Sequence, residues 1–194
     1  MPHGAPLTPA PRTRRAIFVD RDGTLDPDLH YLKEASRLEL FRGVGRALRL
    51  VRAHGALVVC VTNQSGVDRG LYTREDVESI HIRLNERLTS EGARVDAFFY
   101  CPHAPDRHCA CRKPGTLLFE QARDALGIEF STSAMIGDRG IDIAAGRALG
   151  MTTALVRSRG HEGEVAAELA TLRLQPDVSA DTFESAVVRL LALG

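Results

Sequence analysis

Short continuous runs of apolar residues alternate along this chain with longer segments in which apolar residues recur every three or four positions. A continuous run suits a strand that is buried on both faces of a parallel sheet, whereas the longer period suits a helix lying against such a sheet. The alternation predicts an α/β fold of three layers, with a Rossmann-like parallel sheet between two layers of helices. The predicted strands are 16–20, 56–61, 95–100, 134–137 and 152–156. The predicted helices are 44–51, 73–88, 117–126, 143–149 and 183–193.

Other residues mark the ends of these elements and of the folded domain. Thr73 can cap the second helix, with Asp76 three residues later, and Gly127 is suited to end the third helix. The opening residues 1–15 hold four of the nine prolines and show no hydrophobic period. We therefore expect a flexible tail over 1–15, followed by a single domain over 16–194.

Composition and charge narrow the class of protein. With 194 residues, of which 44% are hydrophobic, the chain can build one buried core. Its formal net charge of zero provides no excess positive charge for nucleic acid or an anionic membrane. No run approaches the roughly 20 apolar residues of a membrane span, and the N-terminus lacks the apolar segment of a secretory signal. We expect a cytoplasmic monomer with neither nucleic acid nor a membrane as partner.

Polar residues follow directly after three of the predicted strands, where an open parallel sheet binds its ligands. Asp20 and Asp22 are two residues apart and Asp138 follows another strand, so the three carboxylates can meet around one Mg²⁺. A hard cation there would cancel the repulsion between a carboxylate and a phosphate. The pattern therefore favours Asp20 as the nucleophile of a phosphoryl transfer.

Further residues at the same edge suit the remaining steps of that chemistry. Asp22 can protonate the leaving alkoxide and later deprotonate the water that hydrolyses the acyl-phosphate. Thr62 offers a hydroxyl and Lys113 a positive charge to the oxygens of the transferred phosphoryl group. Taken singly, an Asp-x-Asp-Gly run is often only a turn, and Arg-Lys-Pro is usually a solvated loop. Their combination after successive strands favours the catalytic interpretation.

A cysteine-rich loop over 101–111 has the ligand types of a structural zinc site. Cys101, His103, Cys109 and Cys111 provide four soft or borderline ligands, the number that a closed tetrahedral Zn²⁺ requires. The alternatives are free thiols in a surface loop, or His108 as the fourth ligand. An exposed thiol cluster would invite oxidation, so zinc is the better explanation. The ion would order the loop that leads to Arg112 and Lys113.

These motifs resemble the haloacid dehalogenase-like (HAD-like) phosphohydrolases over most of the chain. Within that superfamily, 62–66, 101–103 and 109–114 are similar to the branch of the D-glycero-D-manno-heptose 1,7-bisphosphate and histidinol-phosphate phosphatases. The resemblance implies a β-hairpin flap over about 23–38 and no large cap domain. The four ordered motifs are Asp20-Arg21-Asp22-Gly23-Thr24-Leu25, Thr62, Lys113 and Gly137-Asp138.

The branch contains two kinds of substrate. Ser65 and the flap stretch 28–31 resemble the heptose-bisphosphate enzymes, whereas the five residues between His103 and Cys109 resemble the short loop of histidinol phosphatases. We give Ser65 and the flap more weight because they should contact the substrate. The resemblance thus implies removal of the C7 phosphate in nucleotide-activated heptose biosynthesis, with histidinol phosphate as the alternative. The implied substrate-binding residues are Arg21, Asp28, Leu29, His30, Tyr31, Asn63, Gln64, Ser65, Arg112 and Arg139.

Two functions of other kinds fit the same pattern less well. A polynucleotide end phosphatase would be expected to carry a basic surface, which the net charge of zero does not favour. A catalytically inactive, zinc-ordered binding module would not need the full set of four motifs. The sequence therefore favours an active phosphatase for a small metabolite.

Overall fold

A parallel sheet organises the described part of the chain, which comprises residues 13–29, 31–157 and 162–193 of a computed structural model. Six strands lie in these ranges, in the order β3-β2-β1-β4-β5-β6, and all neighbours are parallel. The strands are β1 Ala16–Val19, β2 Leu57–Asn63, β3 Ala97–Cys101, β4 Ala134–Gly137, β5 Thr152–Val156 and β6 Val178–Ala180. The helices are α1 Val44–Ala53, α2 Arg74–Ser90, α3 Leu117–Leu126, α4 Gly140–Ala148, α5 Glu162–Leu172 and α6 Phe183–Leu191.

Both faces of the sheet are buried under helices, as the continuous apolar runs predict. Ile17 and Val19 of β1 pack in a core with residues of α1, α2 and α6, whereas Ala16 and Phe18 pack on the other face with α3 and α4. Successive side chains of a strand point to opposite faces, so β1 contributes to both cores. Phe18 is fully buried, with its ring centroid 5.2 Å from that of Phe119. Replacing it with Ala would cost about 3–5 kcal/mol.

Several predicted boundaries coincide with the observed ones. Helix α3 and strands β4 and β5 have the predicted ranges. Thr73 caps α2 as expected: its hydroxyl accepts from the Asp76 N–H at 3.1 Å, and the Asp76 carboxylate accepts from the Thr73 N–H at 2.8 Å. Gly127 ends α3 in the left-handed conformation, with φ of 67°. No helix in the described ranges is long and apolar enough to span a bilayer.

The sequence pattern missed two elements near the C-terminus. Helix α5 is rich in Ala and Glu and buries only Val165, so it has little hydrophobic period to detect. Strand β6 has only three residues. Strand β2 also continues to Asn63, two residues beyond its predicted end, which places Thr62 and Asn63 within the strand.

The segment 23–38 differs from the β-hairpin that the family resemblance implies. Its described residues contain no strand and include one short 3₁₀ helix, Ala35–Arg37. Leu25, Leu32 and Leu38 are buried in the core of the domain, and the Leu25 carbonyl accepts from the Phe41 N–H at 2.9 Å. These contacts hold the described residues of the segment against the domain.

The described chain begins with residues that the sequence assigns to the tail. The Arg14 N–H donates to the Gly127 carbonyl at 2.8 Å, and the Arg15 carbonyl accepts from the Leu57 N–H at 2.9 Å. Backbone pairing at the edge of the domain thus starts before Ala16. The predicted tail residues 1–12 lie outside the described residues.

Candidate active site

The candidate site lies where the strand order of the sheet reverses. From β1 the chain proceeds outward through β2 and β3 on one side, and β4 follows on the other side of β1. The carboxyl ends of β1 and β4 therefore meet at the position where open α/β sheets bind ligands. Asp20 directly follows β1, with its N–H donating to the Ile136 carbonyl at 2.9 Å, and Asp138 directly follows β4.

A buried cluster of three carboxylates forms the centre of the site. Oxygens of Asp20, Asp138 and Asp142 lie within 4.8 Å of one another. The Lys113 Nζ lies 2.9 Å from Asp20 Oδ1 and 2.7 Å from Asp142 Oδ1, and it donates to the Val61 carbonyl at 2.8 Å. When all three carboxylates are ionised, the single ammonium leaves two negative charges uncompensated. An all-oxygen site with that charge fits a hard divalent cation.

Electrostatics within the cluster support the same interpretation. Burial raises the pKa of Asp20 to about 6, an effect that the Lys113 ammonium partly offsets and the neighbouring carboxylates reinforce. Burial, followed by repulsion from Asp20 and Asp142, raises the pKa of Asp138 to about 8. A bound cation reverses this balance by stabilising the ionised carboxylates.

Gly23 makes room for this arrangement. Its φ is 80°, and a Cβ at this position would lie 2.2 Å from Asp138 Oδ2. Any side chain here would therefore be strained and would displace the Asp138 carboxylate. The adjacent Thr24 hydroxyl donates to Asp138 Oδ1 at 3.4 Å. The glycine thus allows the turn after β1 to approach the acid after β4.

The carboxylate cluster differs from the predicted metal-binding set in one member. The sequence predicts Asp22, whereas the structure groups Asp142 with Asp20 and Asp138. The Asp22 carboxylate is instead held by the Arg21 guanidinium at 2.6 Å and by Gln64 Nε2 at 2.7 Å. The chain turns at Gly23, so residues two apart do not present their side chains to one centre.

Asp142 was missed as a member of the site, although its position carries a recognisable signal. It is an acid in the first turn of the helix that follows β4, and it is fully buried. Its Oδ2 accepts from the Arg139 N–H at 3.0 Å, while its Oδ1 lies beside the Lys113 ammonium. Asp142 therefore caps α4 and fixes the lysine at the same time.

Lys113 and Thr62, both predicted as catalytic, are almost fully buried. Lys113 contacts Asp20, and Thr62 lies on β2, the neighbour of β1. The attraction of Asp142 and Asp20 outweighs burial and raises the pKa of Lys113, so the amine stays charged. Asn63 secures the backbone of Lys113 through two bonds: Asn63 Oδ1 accepts from the Lys113 N–H at 3.0 Å, and Nδ2 donates to its carbonyl at 3.3 Å. Asn63, predicted to bind substrate, therefore also supports the lysine.

A polar cavity of about 290 Å³ opens next to Asp22. Leu32 and Tyr72 line it without having been predicted, and no sequence motif marks either. Leu29 lies outside its described lining and is 40% exposed, and His30 is outside the described residues. The predicted substrate-binding residues on its wall are Arg21, Asp28, Tyr31, Asn63, Gln64, Ser65, Arg112 and Arg139.

Two of the arginines on this wall are engaged by acids. Arg21 is 1% exposed, binds the Asp22 carboxylate and lies 3.9 Å from Asp26. Its position is therefore that of a support for Asp22. Arg139 forms a short ion pair with Glu168 of α5. The third arginine on the wall, Arg112, contacts a backbone group instead: it donates to the His103 carbonyl at 3.4 Å.

The cysteine-rich loop brings its four predicted ligands together. Sulfur atoms of Cys101, Cys109 and Cys111 lie 3.2–3.5 Å apart, and His103 Nδ1 lies 3.2 Å from Cys111 Sγ and 3.7 Å from Cys101 Sγ. Zn–S bonds of about 2.3 Å in a tetrahedron place sulfurs about 3.8 Å apart, so the set is compatible with zinc. His108, the alternative ligand, is not part of this cluster.

The fold and the site together define a HAD-like phosphohydrolase. An acid after β1, a hydroxyl on β2, a lysine beside them and an acid after β4 lie at one edge of a parallel sheet. A family model described as "HAD-hyrolase-like" matches residues 110–186. The protein is thus a phosphoric monoester hydrolase of this superfamily.

Comparison with known proteins narrows the family further. The D-glycero-beta-D-manno-heptose-1,7-bisphosphate 7-phosphatase of Haemophilus ducreyi is 35% identical over 80% of this chain and 92% of its own length. The protein of the same name from Helicobacter pylori is 38% identical over 69% of this chain and 78% of its own length. The chain belongs to the D-glycero-D-manno-heptose-1,7-bisphosphate 7-phosphatase family.

A solved structure agrees with this assignment. The D,D-heptose 1,7-bisphosphate phosphatase from B. bronchiseptica, described as complexed with magnesium and phosphate, superposes with a TM-score of 0.81. Its sequence is 28% identical, and the match covers 93% of this chain and 99% of that chain. The family resemblance stated from the motifs is confirmed.

Proposed function

We propose that this enzyme hydrolyses the C7 phosphate ester of D-glycero-D-manno-heptose 1,7-bisphosphate on the route to nucleotide-activated heptose. The observation that carries the proposal is a polar cavity of about 290 Å³ directly beside Asp22. Arg112 and Arg139 line it, and guanidinium groups suit a second phosphate. The names of relatives that are 35–38% identical support the same substrate.

Asp20 is the proposed nucleophile. Its Oδ1 accepts from the Arg21 N–H at 2.7 Å and lies 2.9 Å from the Lys113 Nζ, so the carboxylate is held in one orientation. Oδ2 then attacks phosphorus, forming an O–P bond as the bond between phosphorus and the C7 oxygen breaks. Mg²⁺, held by Asp20 and Asp138, would neutralise the repulsion between the carboxylate and the phosphate oxygens.

Asp22 is the proposed acid and base. In its protonated form it transfers the proton to the departing C7 oxygen, which leaves as an alcohol. A water molecule then attacks the aspartyl-phosphate and gives its proton to the Asp22 carboxylate. This step releases phosphate and restores both side chains. The Thr62 hydroxyl and the charge of Lys113 stabilise the negative charge of the phosphoryl group throughout.

We also propose a structural Zn²⁺ bound by Cys101, His103, Cys109 and Cys111. Only Arg112 separates Lys113 from the last of these ligands. Ordering the loop therefore fixes where the lysine enters the site. The loop is bonded to the turn after β2, because the Asp68 carboxylate accepts from Arg107 Nε at 2.8 Å and from the Ala104 N–H at 3.1 Å. The enzyme we propose is cytoplasmic and acts on a small phosphorylated sugar.

The test is phosphate release with Mg²⁺ from both anomers of heptose 1,7-bisphosphate and from histidinol phosphate. The comparison uses kcat/KM, because that ratio reports discrimination between substrates. A preference for either heptose anomer supports the proposal. A preference for histidinol phosphate refutes it, and would mean that the short zinc loop is a better guide to the substrate than Ser65.

A further inference from the structure

A chain of hydrogen bonds runs from Tyr72 to the proposed acid. The Tyr72 hydroxyl donates to Gln64 Oε1 at 2.8 Å. Gln64 Nε2 in turn donates to Asp22 Oδ2 at 2.7 Å and to Thr62 Oγ1 at 2.9 Å. The Gln64 side chain is 2% exposed. Both amide hydrogens are therefore committed to side chains of the site and are not available to a substrate.

Tyr72 determines which way the Gln64 amide faces. The two ends of a carboxamide have nearly the same shape, so hydrogen bonding decides its orientation. A phenol that donates to the amide oxygen leaves the NH₂ group directed at Asp22. The opposite orientation would place the amide oxygen against the carboxylate. Burial, reinforced by the charge of Asp22, raises the pKa of Tyr72 to about 12, so the phenol keeps its proton at neutral pH.

The Asp22 carboxylate is thereby held from two sides. Arg21 Nη2 donates to both carboxylate oxygens, at 2.6 and 2.9 Å, and Gln64 donates to Oδ2. The Asp22 side chain nevertheless remains 23% exposed, and the residue lines the cavity. The two contacts restrict its rotation while one edge stays open to the substrate.

We propose that Gln64, oriented by Tyr72, is a positioning residue that fixes Asp22 for proton transfer to the leaving oxygen. The inference rests on the proposed function of Asp22 as the general acid. It assigns Gln64 a supporting role in place of the substrate contact expected from the family resemblance. It also gives a role to Tyr72, which no motif identifies.

The leaving group of the substrate provides a readout that a purely structural role would not change. An alkyl phosphate releases an alkoxide, which needs a proton as the P–O bond breaks. Nitrophenyl phosphate releases a stable phenolate, which leaves without one. Misplacing Asp22 therefore slows cleavage of the alkyl ester more than cleavage of the aryl ester. The value of kcat/KM covers the steps up to release of the leaving group, so later hydrolysis of the aspartyl-phosphate does not affect it.

The experiment compares Tyr72→Phe, Gln64→Met and wild type on heptose 1,7-bisphosphate, histidinol phosphate and nitrophenyl phosphate. We expect the alkyl-to-aryl ratio of kcat/KM to fall about fivefold in Tyr72→Phe, the factor that one hydrogen bond typically carries. In Gln64→Met, which also removes the bond to the charged carboxylate, the ratio should fall about tenfold or more.

Tyr100→Phe is the control, because it makes the same change at a half-buried tyrosine whose ring contacts His81. Its ratio should equal that of wild type. An unchanged ratio in Tyr72→Phe and Gln64→Met, or a loss confined to the KM of the alkyl ester, would overturn the inference. Because histidinol phosphate is also an alkyl ester, the ratio can be measured even if the proposed heptose substrate is wrong. If Gln64→Met does not fold, the alkyl-to-aryl ratio of Tyr72→Phe alone tests the inference.

Discussion

Replacing Lys113 with Met should destabilise the folded protein strongly, and more so at high pH than at low pH. The Lys113 side chain is 1% exposed, and its ammonium compensates Asp142, which is 0% exposed, and Asp20. Removing one member of a buried ion pair typically costs about 3–5 kcal/mol, because a charge is left buried without a partner. Lys113 serves two carboxylates and the Val61 carbonyl, so we expect a loss in the upper part of that range.

The pH dependence follows from Asp20. In the wild type its pKa is already raised to about 6, and Lys113 is the neighbour that lowers it most, so the substitution raises this pKa further. A raised carboxyl pKa means that the folded state binds more protons than the unfolded state, whose Asp has a pKa of about 3.9. Stability of the variant therefore falls as pH rises through this window. The cost of the substitution should be larger at pH 8 than at pH 5.

Urea denaturation of both proteins at the two pH values, in buffer without Mg²⁺, measures this difference. Lys33→Met is the control, because Lys33 is the only other lysine of the chain and is exposed. It should change the free energy of unfolding by less than about 0.5 kcal/mol. A cost below about 1 kcal/mol for Lys113→Met, or the same cost at both pH values, would refute the electrostatic account of the cluster.

Further predictions concern the nucleophile and the two metals. Asp20→Asn should abolish phosphate release while circular dichroism shows an intact fold, and a near-normal rate would exclude the proposed nucleophile. Because the pKa values of Asp20 and Asp138 are raised to about 6 and about 8, protons compete with Mg²⁺ there. The affinity of the enzyme for Mg²⁺, measured by calorimetry, should rise more than about tenfold between pH 6 and 8. An affinity that does not change with pH would contradict a magnesium site at these two residues. Cys111→Ser should abolish bound zinc, measured by mass spectrometry, and lower the melting temperature by about 10 °C, for a loss of about 3 kcal/mol. Unchanged zinc content would contradict the tetrahedral site.

The sequence predicts the location of the site better than its internal geometry. Asp20 and Asp138 could be placed because each follows a buried apolar run, and such runs end at one edge of a parallel sheet. Asp142 follows no apolar run directly: it lies in the first turn of α4, and whether it reaches Lys113 depends on the turn between β4 and α4. For this reason the predicted carboxylate cluster contains Asp22 where the observed one contains Asp142.

The same limit applies to residues that act through another residue. Tyr72 lies on no motif, and its contact with Gln64 depends on the path of the turn between β2 and α2. Helix α5 was missed because a helix that buries one large apolar residue leaves almost no period in the sequence. Its contribution to the site, the Glu168 partner of Arg139, was therefore also hidden.

The continuity between the cysteine-rich loop and Lys113 has a consequence for protein engineering. The cysteine-rich loop and the lysine that compensates Asp20 belong to one short stretch of chain. Asn63 at the end of β2 and Asp68 in the turn after it both form hydrogen bonds to that stretch. A chimera with a crossover between Cys111 and Lys113 would separate parts that hold each other in place. Grafts intended to alter substrate preference should therefore transfer 101–113 together with 63–68 from a single donor.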